Sequence, residues 1–412
     1  MLKINKILIA SGLLLFVSIA LSAQNSTNSP YTRYGFGAIA DRSFGAGRSM
    51  GGIGYGLRSP RQINPMNPAS YSSMDSLTFL LDAGASIYRS WYKDGVNKQQ
   101  DINGNFEYVA MQFPVSRRIA MSAGILPYSH VGYNFNAITV QDGLSYVDNF
   151  SGTGGLNEVY LGASIDIWKK RLALGANISY LFGNVNHQSR SDVINIHTRK
   201  KVEVHNLKYD FGLQYTHPLS KTERLTFGLA YSPQLKLKTV AYDLVSNSLE
   251  FSTIIAGDTL RNQGFHLPNT YGFGLSYTKD YKMILAADVS LQEWSNAEFY
   301  GRKDDFKNQL KVAIGGEYIP ENFTRSYLKR VRYRAGLHYS NSYLKIGGLS
   351  YDEYGATIGA GFPMMDNRSF INASLEYVKV LPESKALIDE QYLRLTISYT
   401  FNEYWFFKRR VD

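Results

Sequence analysis

The sequence predicts an all-β fold, a transmembrane antiparallel β-barrel of about 14 strands with an N-terminal plug, or hatch, segment in its lumen. Three observations lead to this prediction. Apolar and polar residues alternate in many segments between residues 77 and 402, the first two dozen residues resemble an export signal, and aromatic residues make up 14% of the 412-residue chain. A membrane barrel exposes every second strand residue to lipid and carries aromatic belts, so it accounts for this combination.

The first element, residues 1–23, is predicted to be a signal peptide. Lys3 and Lys6 give it a basic start, residues 7–21 are apolar, and Ser22 and Ala23 are small residues suited to cleavage. The apolar stretch is shorter than the ~20 residues of a comfortable transmembrane helix, which disfavours an uncleaved anchor. No similar stretch follows, so the predicted destinations are the periplasm, the outer membrane or the medium.

The second element, residues 24–76, interrupts the alternation. From Pro30 to Ser76 it is rich in Gly, Arg, Asn and Ser and has neither helical nor strand periodicity. We interpret it as a plug around which the barrel closes, with glycines allowing close approach of the backbone and prolines fixing turns. Its arginines are expected to pair with carboxylates that point inward from the strands: Arg33, Arg42, Arg48, Arg58 and Arg61 with Asp166, Asp210 and Asp288.

The third element, residues 77–402, is the predicted barrel. In its last strand, residues 393–401, Leu, Ile, Tyr and Phe alternate with Arg, Thr and Ser. One face suits lipid and the other suits a polar lumen, whereas the core of a soluble β-sandwich would not tolerate so many polar groups. A soluble secreted all-β protein is the alternative, and it would need a second sheet to cover the apolar faces.

Short and long connections alternate along the predicted barrel. Long loops are expected at residues 94–105, 137–155, 186–201, 241–266 and 296–307, and one of the predicted strands spans residues 223–240. Outer-membrane barrels have short periplasmic turns and long external loops, so the asymmetry assigns the two sides. An even strand number then places both chain termini in the periplasm.

The fourth element, residues 403–412, is a predicted periplasmic tail rich in aromatic and basic residues. It is interpreted either as a membrane-interface anchor or as a docking peptide. Its candidate residues are Tyr404, Trp405, Phe406, Phe407, Lys408 and Arg409.

Two ion-pair groups are predicted on the inner face. Glu376 and Arg394 fall at matching heights on neighbouring strands, and Glu317 is expected to face Arg332 or Arg334 on the next strand. Such pairs are typical of a partly filled lumen, and they are far more often structural than catalytic.

The sequence does not indicate an enzyme, a cofactor or a metal site. It has no cysteine, no Gly-x-Ser-x-Gly and no His-Glu-x-x-His. His187, His197 and His205 match no known metal-binding spacing, and the glycines from Gly52 to Gly56 lack the strand and helix of a dinucleotide loop. The net charge of +10 is scattered over turns and strand ends, which argues against nucleic-acid binding.

Residues 49–54, 63–71 and 75–79 resemble the N-terminal hatch region of FadL-like outer-membrane barrels, and most of all the Bacteroidota branch with PorV-like proteins. Asn67, Pro68 and Ala69 match the Asn-Pro-Ala motif of that family. The resemblance implies a fourteen-stranded barrel in the outer membrane of a Gram-negative cell envelope, in contact with its lipid.

Two functions follow from the resemblance. FadL-like members take up hydrophobic small molecules such as fatty acids through a plugged lumen, whereas PorV-like members do not transport and bind proteins of a secretion or assembly machine. An uptake site would need apolar residues inside the barrel. Because the strands supply few, the ligand and plug candidates lie on the N-terminal segment: Phe36, Phe44, Met50 and Ile53, together with the Asn-Pro-Ala motif.

Overall fold

A closed barrel of antiparallel strands forms the body of the computed structural model, which describes residues 26–405 except 96, 142–143, 169, 192–195, 248–253 and 323. Strand β1 (Thr78–Asp94) pairs with strand β14 (Asp389–Tyr404), from Thr78 opposite Tyr404 to Lys93 opposite Asp389. The first and last strands therefore join, and the predicted fourteen-stranded antiparallel barrel is confirmed.

The intervening strands each pair with their neighbours along the chain. They are β2 (Asn97–Pro114), β3 (Ile119–Gln141), β4 (Leu144–Trp168), β5 (Leu172–Ser191), β6 (Ile196–Pro218), β7 (Glu223–Ser232), β8 (Thr270–Lys279), β9 (Met283–Gln292), β10 (Gln309–Tyr318), β11 (Arg332–Asn341), β12 (Tyr351–Pro363) and β13 (Phe370–Pro382). We call the end of the barrel at which β1 begins the short-turn end, and the opposite end the long-hairpin end.

The outer face of the barrel is an apolar belt. On β14, Leu393, Leu395 and Ile397 are 37–46% exposed, whereas Thr396 and Ser398 on the opposite face are buried. The alternation follows from the pleat of the strand, which points successive side chains to opposite faces. An apolar outside and a polar inside fit a barrel whose outer wall faces hydrocarbon.

Several short elements accompany the barrel. Helices span Gly45–Arg48 and Tyr327–Arg330, and 3₁₀ turns span Pro30–Arg33, Pro68–Ser73 and Trp294–Asn296. Strand Ala38–Ile39 pairs with β3, and a small sheet contains Leu235–Lys236, Phe265–Leu267 and Glu298–Phe299. Among the described residues, no helix is long and apolar enough to cross a membrane.

Three of the predicted long loops are wrong, because the strands continue through them. The strand pairs β1–β2, β3–β4 and β5–β6 extend as ribbons at the long-hairpin end, with the ladder reaching Asp94 opposite Asn97 and Gln141 opposite Leu144. Both faces of these extensions carry polar residues, so no alternation marks them in the sequence. Backbone hydrogen bonds alone continue the sheet there.

The predicted strand 223–240 is also wrong in its second half. Strand β7 ends at Ser232, before Pro233, whose missing N–H cannot join a ladder. The chain then forms a hairpin of strands Thr239–Asn247 and Ile254–Arg261, and its first strand pairs with the upper part of β6. At the other end of the chain, β14 continues to Tyr404, two residues past the predicted barrel limit at 402.

The N-terminal segment, residues 26–76, lies against the inner faces of the strands. At the long-hairpin end, the hydroxyl of Ser29 donates to Glu390 over 2.6 Å, and the ring of Tyr31 lies 4.3 Å from that of Tyr351. The segment then passes through the lumen to the start of β1. An extended chain rises about 3.3 Å per residue, so fewer than half of these residues are needed to cross a bilayer-deep lumen.

The two ends of the described chain consequently lie at opposite ends of the barrel. Trp405 stacks on Phe79 at the short-turn end, with ring centroids 4.6 Å apart, whereas Ser29 lies near Glu390 at the long-hairpin end. The prediction of both termini on one side is wrong for the described residues. It followed from the even strand number alone and did not allow for a segment that crosses the lumen before β1.

Candidate functional site: the filled lumen

Arg48 forms the most deeply buried link between the N-terminal segment and the barrel wall. Its Nη1 lies 2.7 Å from Glu107 Oε2 on β2, and both side chains are only 4% exposed. Its Nη2 donates to the carbonyl oxygen of Asp41 over 2.9 Å, which holds the segment's own backbone. A guanidinium is suited to this place because its donors form a planar fork.

Arg58 and Arg42 make similar links on the other side of the lumen. Arg58 Nη2 lies 2.6 Å from Asp166 Oδ1 on β4, and its Nη1 donates to the carbonyl of Ala69 over 2.9 Å. Arg42 Nη2 lies 3.0 Å from Glu158 and 2.9 Å from Asp210. These links hold the segment to β4 and β6.

Lys208 completes the charge cluster around Arg42. Its Nζ lies 2.8 Å from Asp210 Oδ1 and 3.2 Å from Glu158 Oε2. The two cations and two carboxylates balance, so the cluster carries no net charge despite its burial. Paired in this way, buried charges avoid most of the desolvation penalty that a lone charge would suffer.

Backbone groups of the segment are bound on the far wall. Asp288 on β9 accepts hydrogen bonds from the N–H groups of Gly54 and Tyr55 at 2.6 and 2.8 Å. Thr357 on β12 accepts from the N–H of Gly51 over 2.9 Å and donates to the carbonyl of Ser49 over 3.1 Å. Asp288 therefore binds backbone N–H groups, and its predicted arginine partner is not found among the described residues.

Asp41 is a charged anchor of the segment. Its carboxylate lies 3.0 Å from Lys311 Nζ on β10 and accepts from the N–H of Ser43 over 2.8 Å. Burial alone would raise the pKa of Asp41, but Lys311 and Arg48 outweigh burial and hold the pKa well below its usual range. The ionised form of the Asp41 carboxylate is thus favoured by its neighbours.

Asn67, Pro68 and Ala69 form a compact turn against β6 and β7. The Asn67 amide donates to the carbonyls of Tyr55, Leu213 and Leu229 at 2.9–3.2 Å, and its oxygen accepts from the N–H of Ala69. Asn67 caps the 3₁₀ turn Pro68–Ser73, in which Pro68 is the first residue. The motif thus ties two wall strands and the segment together.

Glycines in the wall make room for this turn. A side chain at Gly212 on β6 would overlap the side chains of Asn67 and Pro68, and one at Gly175 on β5 would overlap the backbone of Pro68 and Ala69. The close approach of two backbones requires glycine here. Inward glycines on neighbouring strands are the sequence signal that marks the path of the segment.

An aromatic cap covers the lumen at the long-hairpin end. Phe36 of the segment is 1% exposed and packs 5.0 Å from Phe299 and 6.0 Å from Trp294, centroid to centroid. Trp294 is fully buried and lies 4.3 Å from Tyr343. The packed cluster, named the aromatic cap here, includes Phe36, Leu237, Phe265, Leu267, Trp294, Phe306, Tyr343 and Leu344.

The four apolar ligand candidates do not meet in one pocket. Phe36 belongs to the aromatic cap, Phe44 stacks on Tyr108 at 3.6 Å, and Met50 and Ile53 pack together against Ala286 and Ala313. The structure thus places these candidates in three separate packed clusters. Each is instead a contact between the segment and a different part of the wall.

A cavity in the described lumen is lined by both polar and apolar residues. It has a volume of about 280 Å³ and none of the four apolar candidates lines it. Charged side chains from both the segment and the wall face it, among them Arg42, Glu107, Lys208, Glu353, Glu376 and Arg394. A hydrophobic ligand there would desolvate these groups without satisfying them.

The predicted wall pairs are close in space. Glu317 lies 2.7 Å from Arg334 and 2.8 Å from Arg332, and the Glu317 and Arg334 side chains are each 1% exposed. Glu376 lies directly opposite Arg394 in the ladder, with 3.6 Å between Oε2 and Nη1. These pairs connect neighbouring strands of the wall.

The remaining candidate residues lie nearer the surface. Arg33 covers the ring of Phe150 at 3.7 Å, and Arg61 is exposed. Tyr404 belongs to β14, with Arg368 over its ring at 3.7 Å. Of the predicted tail, Phe406, Phe407, Lys408 and Arg409 lie outside the described residues, as do residues 1–23 of the predicted signal peptide.

The histidines bind neighbouring tyrosines. His187 Nδ1 lies 2.8 Å from the hydroxyl of Tyr133, and His205 Nδ1 lies 3.2 Å from that of Tyr180. Across the described residues, no group of three or more potential ligands could hold a metal ion.

Comparison with known proteins assigns the family. The family model described as BamG matches residues 1–412. The chain belongs to the BamG family. No curated protein matches the sequence.

The fold of this BamG family member is similar to solved barrels at low sequence identity. The CymD monoaromatic hydrocarbon channel has a TM-score of 0.60 at 15% identity, covering 89% of this chain and 100% of its own. The toluene transporter TbuX of Ralstonia pickettii has 0.63 at 15%, covering 87% and 98%. A FadL homologue of Pseudomonas aeruginosa has 0.60 at 13%, covering 88% and 99%. The predicted FadL-like fold is confirmed.

Proposed function

We propose that this BamG family member is a non-transporting outer-membrane barrel that acts as a protein-binding subunit of a secretion or assembly machine, as PorV-like members of the Bacteroidota branch do. The N-terminal segment is its plug and stays in place. The single observation that carries the proposal is the set of buried ion pairs between segment and wall, headed by Arg48 with Glu107 and Arg58 with Asp166.

A plug bound in this way opposes transport. Its departure would strip Glu107 and Asp166 of their cations, at a cost of roughly 3–5 kcal/mol for each buried carboxylate left unpaired. Charged side chains face the cavity that remains, and the aromatic cap packs at the long-hairpin end. With the lumen occupied, the surfaces available for function are the two ends and the lipid-facing wall.

Uptake of hydrophobic small molecules is the second candidate. The likeness to barrels described as a hydrocarbon channel and a toluene transporter favours it. In this mechanism the aromatic cap would loosen and expose an apolar path past Phe36. At the identities found, the likeness extends to the fold, whereas the contents of the lumen favour the first candidate.

Native purification from the outer membrane, followed by mass spectrometry of the intact complex, tests the choice. We expect proteins in stoichiometric amounts with the barrel. A lone barrel that retains a fatty acid or hydrocarbon would overturn the subunit role and support uptake. The matched control is another outer-membrane barrel of similar size purified by the same tag, which identifies proteins that bind barrels without specificity.

A further inference from the structure

The short-turn end of the barrel is rich in cations. The described turns there contain three carboxylates, Asp280, Glu321 and Asp366. The same turns contain ten cationic residues: Arg117, Arg118, Lys170, Arg171, Lys221, Lys282, Arg325, Lys329, Arg330 and Arg368. Lys329 pairs with Glu321 at 3.4 Å, while the Asp366 carboxylate accepts from the N–H groups of Arg368 and Ser369. Cations thus outnumber carboxylates in these described turns, with Glu223 and Glu403 at the adjoining strand ends.

Several arginines at this end lie over exposed aromatic rings. The rings are 45–59% exposed, and the guanidinium carbon lies 3.7–5.6 Å from each centroid. The pairs are Arg171 with Trp168, Arg224 with Tyr281, Arg330 with Tyr327 and Arg368 with Tyr404. A ring can hold an arginine by a cation–π contact while its other donors remain available to an acceptor outside the protein. Two of these arginines also use one donor within the protein, Arg224 toward the Tyr281 hydroxyl and Arg330 toward Asn367.

These pairs are spread around the barrel. They belong to the turn between β4 and β5, the start of β7, the connection between β10 and β11, and the turn between β12 and β13. A folded partner would contact one arc of this circle, whereas the lipids of a leaflet surround all of it. Exposed Trp and Tyr at one level of a barrel are typical of the membrane interface, where headgroups lie.

We propose that the short-turn end binds the phosphodiester headgroups of anionic phospholipids, each held by an arginine beside an exposed aromatic ring. Arginine matches phosphate because its fork of donors can contact two phosphate oxygens at once. The aromatic ring lies at the level of the glycerol and upper acyl chain. Since the site uses the outer edge of the barrel, it is independent of whether the lumen or a protein partner performs the main function.

The test uses the full-length barrel in a mild detergent, with phosphatidylglycerol or phosphatidylcholine added, and counts retained lipids by native mass spectrometry. The variant Arg171→Gln, Arg224→Gln, Arg368→Gln removes three cations beside rings. A matched control, Arg199→Gln, Lys236→Gln, Lys345→Gln, removes three exposed cations at the long-hairpin end. Migration of unheated samples on gels confirms that each barrel is folded.

We expect the wild-type barrel to retain phosphatidylglycerol in preference to phosphatidylcholine. Its affinity for phosphatidylglycerol should fall about fivefold for each of the three arginines replaced beside a ring. The control variant should behave as wild type. Equal retention of both lipids, or equal loss in both variants, would overturn the proposal. The proposal would also be overturned if inorganic phosphate alone protected the barrel as the lipid does, which would indicate an adventitious ion only. Displacement of the lipid by a stoichiometric acidic protein would overturn it as well.

Discussion

Arg48 shows how one side chain can fix a segment of fifty residues in place. It is 3% exposed, and its two terminal nitrogens bind the wall and the segment at once, Glu107 on one side and the backbone of Asp41 on the other. Asp41 in turn binds Lys311 on β10. The chain of contacts thus crosses the whole lumen from β2 to β10, and Arg48 is its central member.

Replacing Arg48 by alanine is expected to destabilise the folded barrel by roughly 3–5 kcal/mol, because Glu107 would be left charged and buried without its cation. The measurement is the midpoint of urea unfolding in lipid vesicles, followed by tryptophan fluorescence. Arg89→Ala is the matched control, since Arg89 lies on the exposed outer face and bonds Gln100.

The double variant Arg48→Met, Glu107→Leu provides a further check. Removing both charges avoids the unpaired carboxylate, so it should recover much of the loss seen with Arg48→Ala. A midpoint for Arg48→Ala that equals that of Arg89→Ala would contradict the importance of this link.

At the scale of elements, the N-terminal segment and the wall are separable. The fourteen strands are joined by continuous ladders, and the described segment adds to them only the two-residue strand Ala38–Ile39, which is not one of the strands of the ring. Deleting residues 35–60 is therefore expected to leave a closed barrel with an open lumen. Single-channel recording in planar bilayers should show a higher conductance than wild type, and heat-modifiable migration should confirm folding. A folded deletion variant with wild-type conductance would show that the segment is not a plug.

The sequence allowed the strands to be predicted wherever one face is apolar, as on β14, because lipid imposes the alternation. It did not allow the extensions of β2 to β6 to be predicted, since both of their faces are polar and the ladder there depends on backbone bonds. The same limit explains the missed hairpin at residues 239–261, in which the first strand adds to the edge of β6.

The sequence allowed the residue types in the lumen to be predicted, but it did not allow their ion-pair partners to be predicted. Alternation places Asp166 and Asp210 on the inner face, and the segment supplies arginines as candidate partners. Which arginine meets which carboxylate depends on the path of the backbone, and that path follows inward glycines such as Gly175 and Gly212. Glu107 and Glu158 lie just outside the predicted loops 94–105 and 137–155, and neither was predicted as a partner of the segment's arginines.

At the scale of the molecule, the two ends of the barrel should face different compartments. The proposed orientation places the short turns in the periplasm and the extended hairpins outside the cell. The natural chain contains no cysteine, so single cysteines can report the sides directly. We expect Lys385→Cys, between β13 and β14, to react with a membrane-impermeant maleimide on intact cells.

The matched variant is Lys221→Cys in the turn between β6 and β7, which is equally exposed in the structure. It should react only after the outer membrane is permeabilised. The reverse labelling pattern would contradict the proposed orientation and would place the long-hairpin end, with its aromatic cap, in the periplasm.

The join between β1 and β14 has a consequence for the order in which the molecule forms. It unites the two ends of the strand series, from Thr78 with Tyr404 to Lys93 with Asp389, and it closes around a segment that already fills the lumen. Contacts between residues so distant in the chain form late in folding, because the entropy of loop closure is lost before the contacts contribute any stabilising free energy. The segment must therefore be enclosed before this last pairing. Once the ring of strands is complete, the segment is held in the lumen at both ends. Phe36 and the aromatic cap hold it at one end, and its covalent link to β1 holds it at the other.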